Sequence, residues 1–158
     1  MAWQLLGSTK LTSTGDTIEV ASFSAKKFLY VELHKIGANV NPTMTFNSDG
    51  GSNYTRRYSP NGGSDVTNLN DTKLEFTYAG ATPTSFAVLY IINVEDQEKQ
   101  IIIHDGEENS SGSGSAPNRM EVVGKWANTS DSITTVTFGN DDSGDYDVGS
   151  EAIVWGTD

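Results

Sequence analysis

The residues that could carry acid–base chemistry in this chain are few and scattered. The two histidines, His34 and His104, each lie in a segment of strand character, where a structural histidine is more common than a general base. Asp105 directly follows His104, but no serine stands in the Gly-x-Ser-x-Gly turn that presents a nucleophile. A Ser-His-Asp arrangement is therefore not indicated, and we predict that the chain is not an enzyme.

Paired carboxylates are the other catalytic arrangement to consider. Glu32, Glu75 and Glu121 could in principle serve glycoside hydrolysis, which uses two carboxyl groups on either side of the scissile bond. Each of the three, however, stands on the polar side of a predicted strand, as ordinary antiparallel sheets show. A hydrolase is consequently the third of the function classes that we consider.

The densest group of potential metal ligands lies in the segment "NDDSGDYDVGSE", which contains Asp141, Asp142, Asp145 and Asp147. An EF-hand loop needs ligands at positions 1, 3 and 5, glycine at position 6 and glutamate at position 12. Counted from Asp141, position 6 is Tyr146 and position 12 is Ala152, so the EF-hand pattern fails. We interpret the segment as a solvated acidic loop, with a calcium site of another geometry as the alternative, and we predict no cofactor.

Tyrosines and arginines are concentrated in the glycine-rich stretch "FNSDGGSNYTRRYSPNGG". In an extended run Tyr54, Arg56 and Tyr58 share one side, and Arg57 lies on the other. These residue types are enriched where a partner covers a surface, because they offer large contact area and several donors. Together with Trp126 the four residues are our candidates for a protein interface. The alternative is a strand edge whose tyrosines cover the rim of the core and whose arginines offset the acidic surface.

The elements that must position these residues are almost all strands. In the segment "KFLYVELHKI", Leu29, Val31 and Leu33 alternate with polar or amphipathic residues, which is typical of a strand with one buried side. The same alternation occurs in "TIEVASF" and "KLEFTYA". The sequence shows no helical periodicity. "SFAVLYIINVE" (85–95) is apolar on both sides, which indicates a central strand covered on each side or one whose outer side meets another subunit.

Further strand-like segments are separated by clusters of Gly, Pro, Asn, Asp and Ser. The strands that we count, roughly 8–10, have the spacing of a sandwich, and without helical crossovers they must pair antiparallel. We predict an all-β fold, an antiparallel jelly-roll-like β-sandwich. The Gly/Ser-rich segment near 106–117 is interpreted as a long loop, because the part of the chain that follows it holds too few strands for a core of its own.

Size and charge narrow the functional classes. The 158 residues fit a single domain spanning 1–158, and the absence of cysteine excludes disulfides and thiolate chemistry. A net charge of −11 would repel nucleic acid, so no direct nucleic-acid partner is expected. The start "MAWQLLGSTK" lacks a signal-peptide pattern and no apolar run is long enough to span a membrane, so we expect synthesis in the cytoplasm without a signal peptide and no membrane partner.

Two blocks of the sequence also carry a resemblance to a known family. "FNSDGGSNYTRRYSPNGG" and "GKWANTSDSITTVTFGNDDSGDYDVGSEAIVWG" (124–156) resemble, in this order and after the N-terminal segment "LTSTGDTIEV" (11–20), small β-rich virion proteins of tailed phages and environmental viruses. The resemblance runs from the N-terminus to Gly156. It implies a β-rich building block of the virus particle and carries over no catalytic residue, while the acidic "DDSGDYD" is more charged than the family pattern.

These observations together favour a structural role on the outside of a virion. A genome-lining shell protein usually has a basic arm, which this chain lacks, and its length is small for a main shell protein. We therefore expect a capsid-decorating protein or a tail accessory, with other copies of itself as a trimer or higher, and a major capsid or tail protein, as partners. A carbohydrate-binding or adhesin module of a viral fibre or tail is the alternative, with Trp3, Tyr54 or Trp155 stacking on sugars.

Overall fold

The computed structural model describes residues 2–76 and 84–158. Within these residues the chain forms twelve strands and no helix: β1 (Gln4–Lys10), β2 (Thr17–Val20), β3 (Phe28–Ile36), β4 (Pro42–Phe46), β5 (Tyr54–Pro60), β6 (Val66–Asp71), β7 (Leu74–Glu75), β8 (Thr84–Ile92), β9 (Lys99–Glu107), β10 (Asn118–Trp126), β11 (Val136–Asn140) and β12 (Glu151–Thr157). In the described part of the chain there is accordingly no helix of the length and hydrophobicity that crossing a membrane requires.

The strands form two antiparallel sheets that pack as a β-sandwich. The larger sheet has eight strands in the order β1-β12-β3-β8-β9-β10-β5-β6, and the smaller has four in the order β2-β11-β4-β7. A jelly roll consists of two facing four-stranded sheets whose eight strands form two Greek keys. Its strand order is found here in the half-sheet β1-β12-β3-β8 and in the whole of the smaller sheet, β2-β11-β4-β7. The predicted all-β sandwich is confirmed.

Two hairpins are inserted into this eight-strand arrangement. The β5–β6 hairpin is inserted between β4 and β7, and the β9–β10 hairpin between β8 and β11. Because β9 pairs with β8 and β10 pairs with β5, the four inserted strands continue the larger sheet beyond β8. The larger sheet is therefore twice as wide as the smaller one, and its added half is made by the insertions.

The core lies between the sheets and follows the predicted alternation. Leu29, Val31 and Leu33 of β3 are buried, and so are Ile18 and Val20 of β2. Every second residue of β8, β9 and β10 also points inward, while the intervening residues point away from the smaller sheet. The core is therefore built from one face of each sheet, as expected for a sandwich.

Three segments differ from the sequence prediction. β6 was not predicted, because "VTNLND" shows no apolar alternation and has little burial on either side. The predicted strand "SITTVTF" (132–138) begins only at Val136, since the preceding amides donate to asparagine side chains instead of a neighbouring strand: Ile133 N to Asn93 Oδ1 at 2.7 Å and Thr134 N to Asn47 Oδ1 at 2.9 Å. Of "KLEFTYA" only Leu74–Glu75 is strand, and residues 77–79 lie outside the described residues.

The connections carry the turn chemistry that the sequence indicates. After β5, Asn61 and Gly62 both have positive φ, 49° and 71°, and Gly63 N donates to Pro60 O at 2.8 Å. Two successive positive φ values define the type I′ turn, which suits the twist of a hairpin and favours an Asn-Gly pair. The predicted Gly/Ser-rich loop connects β9 and β10 and begins after Glu107.

Candidate interaction surface

The Tyr/Arg stretch is used mainly inside the molecule. Tyr54 starts β5 and Trp126 ends β10, where they pair across the two strands with their rings stacked at 6.4 Å. Phe46 of the smaller sheet packs on both rings, at 6.2 Å from Tyr54 and 5.6 Å from Trp126. All three side chains have no exposed area, so this cluster joins the inserted strands to the smaller sheet.

Asp49 forms hydrogen bonds with the polar atoms of this aromatic cluster. Its carboxylate accepts hydrogen bonds from Trp126 Nε1 at 2.7 Å and from Asn53 Nδ2 at 2.9 Å. The hydrogen bond from Trp126 is the main reason that the pKa of Asp49 is lowered. The Tyr54 hydroxyl accepts from Phe46 N at 2.9 Å and donates to Asp49 O at 3.1 Å, and burial raises the pKa of Tyr54 to about 12. The "FNSDGGSNY" block is consequently a structural turn that satisfies the donors of two buried rings.

The two adjacent arginines have different roles. Arg56 is 5% exposed, forms an ion pair with Glu75 of β7, and lies over the Tyr58 ring at 4.7 Å. It therefore connects the inserted hairpin to the edge of the smaller sheet. Arg57 points the opposite way and makes an exposed ion pair with Asp65 at 3.8 Å.

Burial corrects most of the predicted interface. Tyr54, Arg56 and Trp126 have at most 5% of their surface exposed, so a partner has no access to them in this structure. Tyr54 comes closer to the alternative, in which the tyrosines cover the rim of the core, but it lies within the core, and Arg56 is buried in an ion pair with Glu75. Arg57 stays exposed and Tyr58 is partly buried against the core, so these two remain available at the surface. A tyrosine and arginine pattern alone does not distinguish a rim of the core from an interface.

The acidic loop is held by the fold and by its own side chains. Asp141 accepts from Lys73 Nζ at 2.6 Å, and Asp147 N donates to Ile36 O at 2.8 Å. Asp145 shares a hydrogen bond with Asp16, which raises the pKa of Asp145. In the portions of the chain that the structure describes, Asp141, Asp142, Asp145 and Asp147 do not form a group of three or more ligands able to hold a metal ion.

The adjacent His104 and Asp105 lie on opposite sides of the larger sheet. His104 is exposed, whereas Asp105 is 3% exposed and faces the core. The strand alternation therefore separates the only His-Asp neighbours in the sequence.

Asp105 instead belongs to a buried charged group that the sequence analysis did not identify. Lys35 of β3 and Glu107 of β9 are buried beside it, and Lys35 Nζ lies 3.4 Å from Val40 O. Burial raises the pKa of Asp105 to about 8, and the charge of Glu107 acts in the same direction, while Lys35 and Ser85 act against it. Burial also lowers the pKa of Lys35.

The outer face of the larger sheet exposes a group of large side chains. The strand registers place five large side chains in one row across five strands: Trp155, Tyr30, Tyr90, Ile102 and Val123. Tyr90, Ile102 and Val123 are 51%, 48% and 60% exposed. The next row adds Phe28 beside Ile92, and both are also exposed. We call these seven residues the outer row.

The outer row is aromatic at one end. Trp3 packs edge-on against Tyr30 at 6.2 Å, and Tyr30 lies 5.2 Å from Tyr90. A shallow cleft of about 350 Å³ is lined here by Trp3, Tyr30, Glu32, Tyr90 and Trp155. Partial burial and the neighbouring Glu32 raise the pKa of Tyr30.

The other end of the outer row is aliphatic and basic, and it is made by the inserted hairpins. Ile102 of β9 pairs with Val123 of β10, and Val123 pairs with Arg57 of β5. Lys125 lies on the same side, two residues from Val123, and is paired with Glu98 at 2.9 Å. The insertions therefore extend the apolar surface of the jelly roll and add positive charge at its far side.

The sequence indicated part of this exposed apolar surface. The segment 85–95 is apolar on both sides, and one interpretation was that its outer side meets another subunit. "KQIIIHD" and "RMEVVGKWA" have the same property in "III" and "VV", but their outer residues were not singled out. Comparison of the chain with protein-family models, with curated proteins and with solved structures finds no match, so the surface is interpreted from its own geometry.

Proposed function

We propose that this chain is a structural protein on the outside of a virus particle, most specifically a capsid-decorating protein that assembles as symmetric oligomers and reinforces the shell. The observation that carries the proposal is the outer row. It is a continuous apolar strip on a sheet face that the core does not use. The partners are other copies of the chain, as a trimer or higher, and a major capsid or tail protein.

The inner face of the larger sheet already supplies a complete core. Leu89, Ile101 and Val122 are buried against the smaller sheet, while their outward neighbours Tyr90, Ile102 and Val123 stay in water. Large contiguous apolar patches are rare on monomeric soluble proteins and usually mark a contact surface. The outer row therefore favours a protein whose work is done by packing against other protein chains.

Charge and chemistry support the same class. The formal charge of −11 opposes a role in binding the genome and suits an outward position. His104 and Asp105 are separated by the sheet, so the residues first considered for catalysis do not meet. The resemblance to small virion proteins supports a position in a virus particle. In this proposal the chain acts by assembling with other chains and does not catalyse a reaction.

A second candidate rests on the aromatic end of the outer row. The cleft lined by Trp3, Tyr30, Tyr90 and Trp155 also contains the Glu32 carboxylate. A carbohydrate-binding module uses such groups, because aromatic rings stack on sugar rings and a carboxylate accepts hydrogen bonds from sugar hydroxyls. An adhesin of a viral fibre or tail would use this end of the face and leave it uncovered in the oligomer.

The mass of the purified protein in solution tests the proposal. We expect size-exclusion chromatography with light scattering, at moderate salt and over a hundredfold range of concentration, to give a discrete oligomer. A monomer at every concentration would contradict self-assembly. A glycan screen run in parallel tests the second candidate, because loss of binding in Tyr90→Ala would identify the cleft as a sugar site.

A further inference from the structure

We infer that the outer row is covered by the outer row of a second copy of this chain, related by a two-fold axis that runs along the strands between β8 and β9. This inference rests on the proposed function, because it names the partner of the same surface. A two-fold contact gives a dimer by itself and joins rings within an assembly of dihedral symmetry. The second case gives the proposed trimer or higher, with the two-fold contact joining two rings.

The size of the face is sufficient for such a contact. Six strands from β12 to β5 span about 24 Å at ~4.8 Å per strand, and the nine-residue strands are about 26 Å long. The whole outer face, including the polar row of Glu32, His104 and Glu121, therefore offers roughly 620 Å² per copy, or about 1,250 Å² for two, which is at the lower end of the range of stable specific interfaces, ~1,200–2,000 Å².

The position of the apolar side chains suits a contact between identical faces. Arg57 of β5 follows Val123 in the same cross-strand row, and this row of six strands has its centre between Tyr90 of β8 and Ile102 of β9, which are direct neighbours. Rotation about an axis between these strands places the Tyr90 of one copy over the Ile102 of the other. The aromatic end then lies over the aliphatic end, so rings pack on branched chains.

The basic side chains of the outer face also find partners in this arrangement. Because the rotation leaves each cross-strand row over itself, Arg57 of one copy lies over Trp155 of the other, and Lys125 lies over Phe28, so both cations meet aromatic rings. In the adjacent row Glu32 of one copy lies over Glu121 of the other, so that row is the acidic part of the face. The pair of Arg57 with Asp65 is more than half exposed on both partners and contributes little, so it can be exchanged for a contact across the interface.

Cross-linking through introduced cysteines tests this arrangement, and the absence of natural cysteines makes each introduced thiol unique. Ile102→Cys and Tyr90→Cys lie beside the proposed axis, so a short bismaleimide should join two identical copies. Thr67→Cys is the matched control, because it is exposed on the same face. Its strand lies about 17 Å from the axis at ~4.8 Å per strand, so its two copies are too far apart to be joined.

The outcomes separate the two proposals. Covalent dimers from Ile102→Cys and Tyr90→Cys, with at least a tenfold lower yield from Thr67→Cys, are the expected result. An oligomer by light scattering that gives equal or no cross-linking at positions 90 and 102 would overturn the face-to-face pairing and leave the proposed assembly intact. A monomer would overturn both. Binding of a glycan that Tyr90→Ala abolishes would make a sugar the occupant of the face and would also overturn the pairing.

Discussion

Ile101 and Ile102 are adjacent residues of one type on one strand, yet the first is fully buried and the second is 48% exposed. The same contrast holds for Val122 and Val123 of β10 and for Arg56 and Arg57 of β5. The inward member of each pair is buried, and Arg56 also forms an ion pair with Glu75 of the smaller sheet. The outward member contributes to a surface that the monomer does not need.

The two faces of the larger sheet are therefore under different physical constraints. The inner face must fit the smaller sheet closely, because cavities and unsatisfied donors in a core are costly. Residues of the outer face can be substituted without disturbing the core. Its apolar residues are therefore explained by contact with another chain. Substitutions on the two faces should accordingly separate stability from assembly.

The largest expected effect is at the inward aromatic cluster. Trp126→Ala removes a fully buried ring that packs on Phe46 and Tyr54 and leaves Asp49 without its indole donor. We expect a loss of about 3–5 kcal/mol in the free energy of unfolding, measured by denaturant titration. Val123→Ala on the outer face of the same strand is the control, with an expected loss below about 0.5 kcal/mol under conditions where the chain is monomeric. Similar losses in both variants would contradict the distinction between the faces.

The adjacent arginines provide a second, smaller contrast. Arg56→Met removes the partner of Glu75 and the contact with the Tyr58 ring, and we expect a cost of about 2–3 kcal/mol, below that of a fully buried pair because Glu75 is partly exposed. Arg57→Met breaks only the exposed pair with Asp65 and should cost less than about 0.5 kcal/mol.

A double-mutant cycle checks the assignment of the larger arginine effect. Glu75→Gln combined with Arg56→Met should be clearly less destabilising than the sum of the single variants, because the two side chains act as one unit. Simple additivity would show that the effect of Arg56 does not come from its ion pair with the Glu75 carboxylate but from its other contacts, the Tyr58 ring and the Glu75 backbone oxygen.

The smallest effect concerns the inward carboxyl group of Asp105 and depends on pH. Its pKa is raised from 3.8 to about 8 in the folded chain, so the unfolded chain loses this proton first as the pH rises. The contribution of Asp105 is therefore fully present below pH 3.8 and is lost progressively as the pH approaches about 8.

Asp105→Asn should remove this dependence and stabilise the protein by about 1–2 kcal/mol at pH 8, because a buried amide replaces a buried charge. Urea titrations at pH 5 and pH 8 measure it, with the outward Glu121→Gln as control. If the free energy of unfolding differed between pH 5 and pH 8 as much in Asp105→Asn as in the wild type, the Asp105 carboxyl group would not be the source of the pH dependence.

The sequence predicted the architecture because the inner face follows a two-residue period. Leu29, Val31 and Leu33 stand out since their neighbours are polar or amphipathic, and the turns are marked by Asn-Gly and Gly-Gly pairs. β6 was missed because an edge strand exposed on both sides leaves no alternation to detect.

The candidate surface was predicted less well for two physical reasons. The apolar runs in β8, β9 and β10 hide the alternation, so the outward Ile102 and Val123 look like core residues. Tyr54, Arg56 and Trp126 have the composition of an interface, but they are buried by Phe46 and Glu75, whose proximity depends on how the two sheets pack. Only the strand register shows which member of each pair faces out.

The central claim is that the outer row is a contact surface and that the core does not depend on it. The most direct test is the light-scattering mass of Ile102→Asp beside the wild type, with circular dichroism and a urea titration on the same samples. We predict that the variant keeps its fold and stability and loses the oligomer, because a carboxylate at the centre of the row would have to be desolvated in the contact. A variant that keeps the mass of the wild-type oligomer would contradict the account.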